Sequence, residues 1–66
     1  MAPAMVSYRC YFLDFTNHVA ASQAIHCEDD GEAQTRADAL LADSVHAGIE
    51  VWQLERKVYR ADKPRS

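Results

Sequence analysis

Hydrophobic side chains dominate residues 6–13, on both of the faces that a β-strand would present, and polar residues typical of a turn follow them. Residues 6–13 are rich in aromatic and branched side chains and contain neither glycine nor proline, so they predict a first strand. Asp14 and Asn17, in the five residues that follow, are typical of a hairpin turn. Residues 19–27 predict a second strand, which its neighbouring turn and helix signals support more than its alanine-rich composition does.

A helix is predicted over residues 30–46. Asp29 stands three residues before Glu32, which is the spacing of a capping box that binds the unpaired amide groups of a first helical turn. The apolar stripe that follows at helical spacing consists of Ala33, Ala37, Leu40, Leu41 and Val45. Gly48 is placed to supply the left-handed residue that often ends a helix. The acidic cluster before the helix is therefore interpreted as its cap rather than as a site.

Hydrophobic and polar residues alternate directly after Gly48, so residues 49–52 predict the start of a third strand. Residues 53–56 either turn the chain so that 57–60 return as a fourth strand, or the whole segment stays extended, because no glycine decides the turn. These elements predict an α+β fold, a small antiparallel sheet of three to four strands with one helix packed on one face (ββαβ or ββαββ). We expect a single domain over 1–66, with an ordered core over about 6–60 and a loose basic tail over 61–66.

One face of the predicted sheet is left without a helix. If the helix covers Cys10, Phe12, Ile49 and Val51, the other face carries the candidate interface residues Tyr11, Leu13, Trp52 and Tyr59. An uncovered aromatic patch is normally an interaction surface. A chain of 66 residues also has a small core, which association with a second copy would supplement. We therefore expect a homodimer that forms through the aromatic sheet face or through an edge strand.

The net charge of −3 is divided unevenly along the chain. Residues 1–50 carry two basic and eight acidic side chains, whereas 51–66 carry five basic and two acidic ones. The basic end is either a solvated tail or a contact for an acidic partner or phosphates, and its candidate contact residues are Arg56, Lys57, Arg60 and Lys63. The acidic body argues against nucleic-acid binding.

Chemistry-bearing residues are few and dispersed. The histidines and cysteines that could bind a soft metal ion are His18, His26, His46, Cys10 and Cys27. They do not occur at the spacings of paired metal ligands, such as Cys-x-x-Cys or His-x-x-x-His, so we expect no metal site. Cys10 should face residues 21–23 of the second strand, too far from Cys27 for a disulfide. The two glycines, Gly31 and Gly48, do not form a phosphate-binding loop. We expect no enzymatic activity and no cofactor.

Composition indicates an ordinary globular domain, with 48% hydrophobic and 26% charged residues. The apolar runs are much shorter than the roughly 18 residues of a membrane span. The first residues lack the basic and long apolar segments of a secretory signal. We therefore expect a soluble, cytoplasmic protein.

Several residues in order carry a resemblance: His18-Val19, Ile25-x-Cys27-x-Asp29-Asp30-x-Glu32-Ala33, Leu40-Leu41, Gly48-Ile49-Glu50-Val51-Trp52 and a closing basic segment. This pattern resembles short uncharacterised proteins of alphaproteobacteria, and the resemblance covers most of the chain. It implies a small strand-strand-helix-strand domain with no established activity. The chain departs from the pattern by having no glycine in either predicted turn.

The acidic, alanine-rich helix start at 29–33, preceded by two strands, is also similar to the antitoxin half of HicAB-type toxin-antitoxin pairs. That similarity covers the strand-helix core without an appended DNA-binding segment. It implies an alternative function, a regulatory module that binds a partner protein or nucleic acid through the basic C-terminal segment.

Overall fold

The computed structural model describes residues 5–64, which form four strands and one helix. The strands are β1 (Val6–Leu13), β2 (Val19–Cys27), β3 (Gly48–Gln53) and β4 (Arg56–Asp62), and the helix is α1 (Asp30–Ala42). Neighbouring strands run antiparallel in the order β2-β1-β3-β4, and α1 packs on one face of this sheet. The predicted α+β fold is confirmed, in the ββαββ form.

β1 and β2 form the predicted hairpin, and one carboxylate organises its loop. Asp14 Oδ1 accepts hydrogen bonds from the N–H groups of Thr16 (2.9 Å) and His18 (3.0 Å) and from the Thr16 hydroxyl (2.7 Å). These bonds, the Thr16 hydroxyl first among them, hold the pKa of Asp14 below its ordinary value. Asn17 takes a positive φ of 65°, which asparagine tolerates better than most residues. The loop therefore closes without a glycine.

The start of α1 agrees with the sequence prediction. Asp29 Oδ1 accepts a hydrogen bond from the N–H of Glu32 at 2.8 Å, as expected for the residue that caps a helix. The face turned to the sheet is narrow, and its buried residues are Ala33, Ala37 and Leu41. Because alanine has a small side chain, the helix backbone lies close to the sheet.

The end of α1 differs from the prediction. The helix stops at Ala42 rather than at 46, and Val45, which the predicted apolar stripe includes, is 94% exposed. Ser44 accounts for the early end, because its N–H (3.1 Å) and its hydroxyl (2.9 Å) both donate to the carbonyl of Leu41. Its Oγ also accepts from the N–H of His46 at 3.2 Å. These local bonds satisfy the groups that another helical turn would have used.

Gly48 has a different role from the predicted one. It is the first residue of β3, and its φ is not positive, so it does not supply a left-handed helix stop. A Cβ at this position would lie 2.6 Å from Oδ1 of Asp62 and 3.2 Å from the carbonyl oxygen of Ala61. Glycine is therefore suited to this position by the close approach of β4.

A one-residue bulge interrupts the pairing of β3 with β4. Val51 lies opposite Tyr59, whereas its neighbour Trp52 lies opposite Lys57, so β4 contains one extra residue between the two pairs. A shift of one residue moves the side chains that follow to the other face of a sheet. As a result, Tyr59 lies on the same face as Val51, beneath the helix.

The last part of the described chain forms a tight turn and a fourth strand that is longer than the predicted one. Leu54, in the turn between β3 and β4, adopts a φ of 55° and allows a tight turn without glycine. The loose tail predicted over 61–66 is wrong at its start, because β4 continues to residue 62 and the N–H of Lys63 donates to the carbonyl of Ala47 at 2.8 Å. Residues 65–66 lie outside the described residues.

The core lies between α1 and one face of the sheet. The predicted burial of Cys10, Phe12, Ile49 and Val51 on that face is confirmed. The larger buried side chains of Tyr8, Ile25 and Leu41 pack around the completely buried Ile49 and Val51. This core lies on one side of the sheet, so the other side is left without a helix.

Candidate functional site

We call the sheet surface opposite α1 the open face. On its two central strands, Arg9 lies beside Trp52 and Tyr11 lies beside Glu50. A shallow groove runs along this face, and Ala24 of β2 lines it together with those four residues. The structure thus places Tyr11 and Trp52 away from the helix, as predicted.

Residues of the same chain cover Trp52 in part. Its indole Nε1–H donates to Glu50 Oε1 at 3.2 Å. The Lys57 ammonium lies 5.8 Å from the centre of the indole ring, within the range of a cation–π interaction. The indole N–H of Trp52 therefore has a hydrogen-bond partner within the chain, and one side of the ring faces the positive charge of Lys57.

Glu50 is the centre of a charge network on the same face, and its side chain is only 17% exposed. Its Oε2 lies 3.1 Å from Arg60 Nη1 and 3.6 Å from Lys57 Nζ. Arg60 also donates to Asn17 Oδ1 at 2.8 Å and pairs with Asp62 at 3.3 Å. Charges on the β3-β4 half of the open face are therefore largely compensated by one another.

Two of the four predicted interface residues do not contribute to the open face. Leu13 is 3% exposed and offers almost no contact area. The prediction that Tyr59 shares a face with Trp52 is wrong, because the bulge in β4 turns it toward the helix. There its hydroxyl donates to Asp38 Oδ1 at 2.7 Å, its ring packs against the core, and the hydrogen bond raises its pKa.

The four basic side chains predicted to contact a partner are all bound within the chain. The pairs are Arg56 with Asp30, Lys57 and Arg60 with Glu50, and Lys63 Nζ with the carbonyl of Ser44. The Arg56 pair is about half exposed, so it adds little stability of its own. The basic end of the chain, as far as residue 64, is therefore folded onto the acidic body.

Asp30 joins three elements of the fold. It accepts a hydrogen bond from the Tyr8 hydroxyl at 2.7 Å, and both of its oxygens bind Arg56, at 3.0 and 3.3 Å. The hydrogen bond to the carboxylate raises the pKa of Tyr8 to about 12. The Arg56 guanidinium, followed by Tyr8, lowers the pKa of Asp30. In the sequence, Asp30 is recognisable only as part of a helix start, because its partners lie 22 and 26 residues away.

The thiols and imidazoles do not assemble a reactive centre in residues 5–64. Cys10 lies opposite Gln23 and Cys27 opposite Val6, so the two free thiols are four residues apart along the hairpin. Both are completely buried, and burial raises the pKa of both thiols. The ring of His46 instead packs against Phe12, with centroids 5.0 Å apart.

Residues 5–64 lack two further kinds of functional feature. They contain no group of three or more histidine, cysteine or acidic side chains placed to hold a metal ion. Within the same residues, no helix combines the length and apolar character needed to cross a membrane.

The β2 edge is the second surface that the helix leaves uncovered; we use this name for the outer side of Val19–Cys27. Its first six residues are exposed, and only Ile25 and Cys27 are buried. Among residues 5–64, no strand pairs with this side. β2 contains no lysine, arginine, aspartate or glutamate. It therefore offers unpaired peptide groups without the charges that commonly protect an edge strand.

Comparison with known proteins does not add a relative to these observations. No family model matches the chain, and neither a curated protein nor a solved structure matches it. The open face and the β2 edge are therefore the features from which a function has to be argued.

Proposed function

We propose that this protein is non-enzymatic and acts by association, and that its partner is a second copy of itself bound through the sheet. The observation that carries the proposal is the one-sided packing of the sheet: α1 covers one face and leaves both the open face and the β2 edge uncovered. Uncovered sheet surfaces of this kind are typical of protein-protein contacts.

The size of the core supports the same proposal. The helix contributes two alanines and one leucine to the core, so most of the buried apolar side chains come from the sheet. A 66-residue chain buries only about 60% of the surface exposed by its unfolded form, so its stability is small. Pairing of two copies buries further surface and stabilises the folded chain.

The alternative function, binding of a partner through the basic C-terminal segment, gains no specific support. Arg56, Lys57 and Arg60 each form an ion pair with an acidic residue of the same chain. A partner would have to displace these contacts before it could use the positive charges.

The proposal is tested by measuring the mass in solution with light scattering across a wide range of protein concentrations and at two salt concentrations. We expect twice the 7.4 kDa of one chain, and little dependence of that mass on salt if the uncharged β2 edge is the interface. A mass of one chain at every concentration would overturn the proposal.

A pair of substitutions separates the two uncovered surfaces. Trp52→Ala and Tyr11→Ala remove the aromatic side chains of the open face without changing the β2 edge. If the open face is the interface, both variants dissociate, because truncation of central aromatic residues commonly costs more than about 2 kcal/mol of binding energy. If the edge is the interface, both variants remain dimers.

A further inference from the structure

We propose that the two copies pair through the β2 edge, with antiparallel β2 strands related by a two-fold axis near Ala24, so that one sheet continues across both chains. This inference rests on the self-association proposed above and specifies its geometry. The resulting strand order would be β4-β3-β1-β2 in one copy, followed by β2-β1-β3-β4 in the other.

The two outer strands of the sheet differ sharply in charge. In β4, Arg56, Lys57, Arg60 and Asp62 account for four of seven residues, and such charges oppose pairing with another strand. β2 has nine residues and none of these charged types. Of the two edges, β2 is therefore the one suited to pairing.

Hydrogen bonds near the hairpin show which peptide groups β2 presents outward. The carbonyl of Leu13 accepts from the N–H of Ala47, on the β3 side, at 2.9 Å. The next residue, Asp14, donates its N–H toward the β2 side at 3.0 Å. Peptide groups alternate between the two sides of a strand, so the even-numbered residues of β1 bond to the residues opposite them in β2. The outward peptide groups are then those of Ser22, Ala24 and His26.

The regular part of β2 defines the position of the two-fold axis. A bulge interrupts the β1-β2 register near Ala20, and regular pairing runs from Ala21 to Cys27, whose midpoint is Ala24. Antiparallel pairing about this point places Ala24 opposite the same residue of the other copy.

On either side of the axis, Ser22 lies opposite His26, and Gln23 lies opposite Ile25. No two acidic or two basic side chains face each other in this arrangement, so the strand is complementary to itself.

The open face is a weaker interface than this edge. Its central residue, Trp52, already donates to Glu50 and lies against the Lys57 ammonium. Burying this face against another copy would remove water from a network of at least three charged side chains, which is costly. Pairing at the β2 edge buries mainly peptide groups and small side chains.

The test variant is Ala24→Glu, which is compared with Trp52→Ala and Tyr11→Ala because Ala24 also lines the groove of the open face. Within one chain, position 24 lies opposite Arg9, so the new carboxylate gains a favourable neighbour and the fold is preserved. Between copies, the two carboxylates would face each other across the axis. We expect the dissociation constant to rise on the order of a hundredfold, because like charges at an interface cost several kcal/mol.

Two further proteins control this experiment. Ala24→Lys should also dissociate, and an equimolar mixture with Ala24→Glu should restore the dimer mass, since opposite charges then meet at the axis. Val45→Glu adds the same charge at a site that is 94% exposed and lies outside β2, and it should remain a dimer. Urea unfolding verifies that each variant folds.

Hydrogen exchange supplies a readout that needs no substitution. In the wild-type protein at high concentration, the amides of Ser22, Ala24 and His26 should exchange more slowly than on dilution to the monomer. A wild-type dimer that survives Ala24→Glu, or whose three amides stay unprotected, would overturn the edge pairing while leaving self-association intact. A wild-type monomer would overturn both.

Discussion

Val51 and Val45 provide a matched pair of substitutions that tests which valine belongs to the core. Val51 is completely buried in β3 beneath the helix, whereas Val45 is 94% exposed after the end of α1. Truncation to alanine removes the same two methyl groups at both positions. The sequence pattern alone would assign both residues to the core, so the comparison tests the tertiary structure.

The expected cost at Val51 follows from its burial. Two methyl groups at about 0.8 kcal/mol each contribute roughly 1.6 kcal/mol of transfer free energy. The cavity that remains raises the total to about 2–3 kcal/mol, because neighbouring side chains relax only partly. A chain of this length has a free energy of unfolding of roughly 3–10 kcal/mol, so the loss is a large fraction of it. At Val45 we expect a change within about 0.5 kcal/mol.

Urea unfolding, followed by the fluorescence of Trp52, is the suitable assay because the chain contains a single tryptophan. With a slope near 1 kcal/mol per molar urea, the Val51→Ala midpoint should fall by roughly 2 M or more. All variants must be compared at one protein concentration, since association would make the midpoint depend on it. A loss above 1 kcal/mol for Val45→Ala, or one below 0.5 kcal/mol for Val51→Ala, would refute the assigned packing.

Two other predictions concern β4 and the hydrogen bond between β1 and the helix. Gly48→Ala should lower the free energy of unfolding by roughly 1 kcal/mol, because the new Cβ crowds Asp62 and the Ala61 carbonyl. Adding Asp62→Ala should recover the part of that loss that comes from the Asp62 side chain, and urea unfolding measures this recovery. In an absorbance titration, Tyr8 should ionise near pH 12, and Asp30→Asn should lower that midpoint. The pKa of Tyr8 in the unfolded chain is near 10.0, so the protein should lose stability as pH rises from about 10 to 12. A free energy of unfolding that does not change over this range would contradict the hydrogen bond between Tyr8 and Asp30.

Features that depend on neighbouring residues could be read from the sequence. The aromatic and branched residues of β1 predict its strand over the observed bounds, and Asp29 caps α1 with the predicted partner, Glu32. The side-chain spacings responsible for both span only a few residues. The same holds for the hairpin loop, where Asp14 supplies its bonds within four residues.

Features that depend on strand register could not be read in this way. Tyr59 lies on the helix-covered face because β4 contains one extra residue opposite Val51 and Trp52. No sequence pattern within the strand predicts that bulge. Without the bulge, a two-residue turn would have placed Tyr59 opposite Glu50 on the open face.

Local sequence patterns predict the first three strands, the helix and their order, because periodicity and capping are local properties. Whether a fourth strand follows, and which face of the sheet the helix covers, became clear only in the folded chain. The tertiary structure decided where α1 ends, why Gly48 is glycine and which basic side chains are already paired. It also placed β2, which has no charged side chain, and β4, which has four, at the two edges of the sheet. These outcomes depend on contacts between segments that lie far apart in the sequence. Local sequence patterns do not specify such contacts.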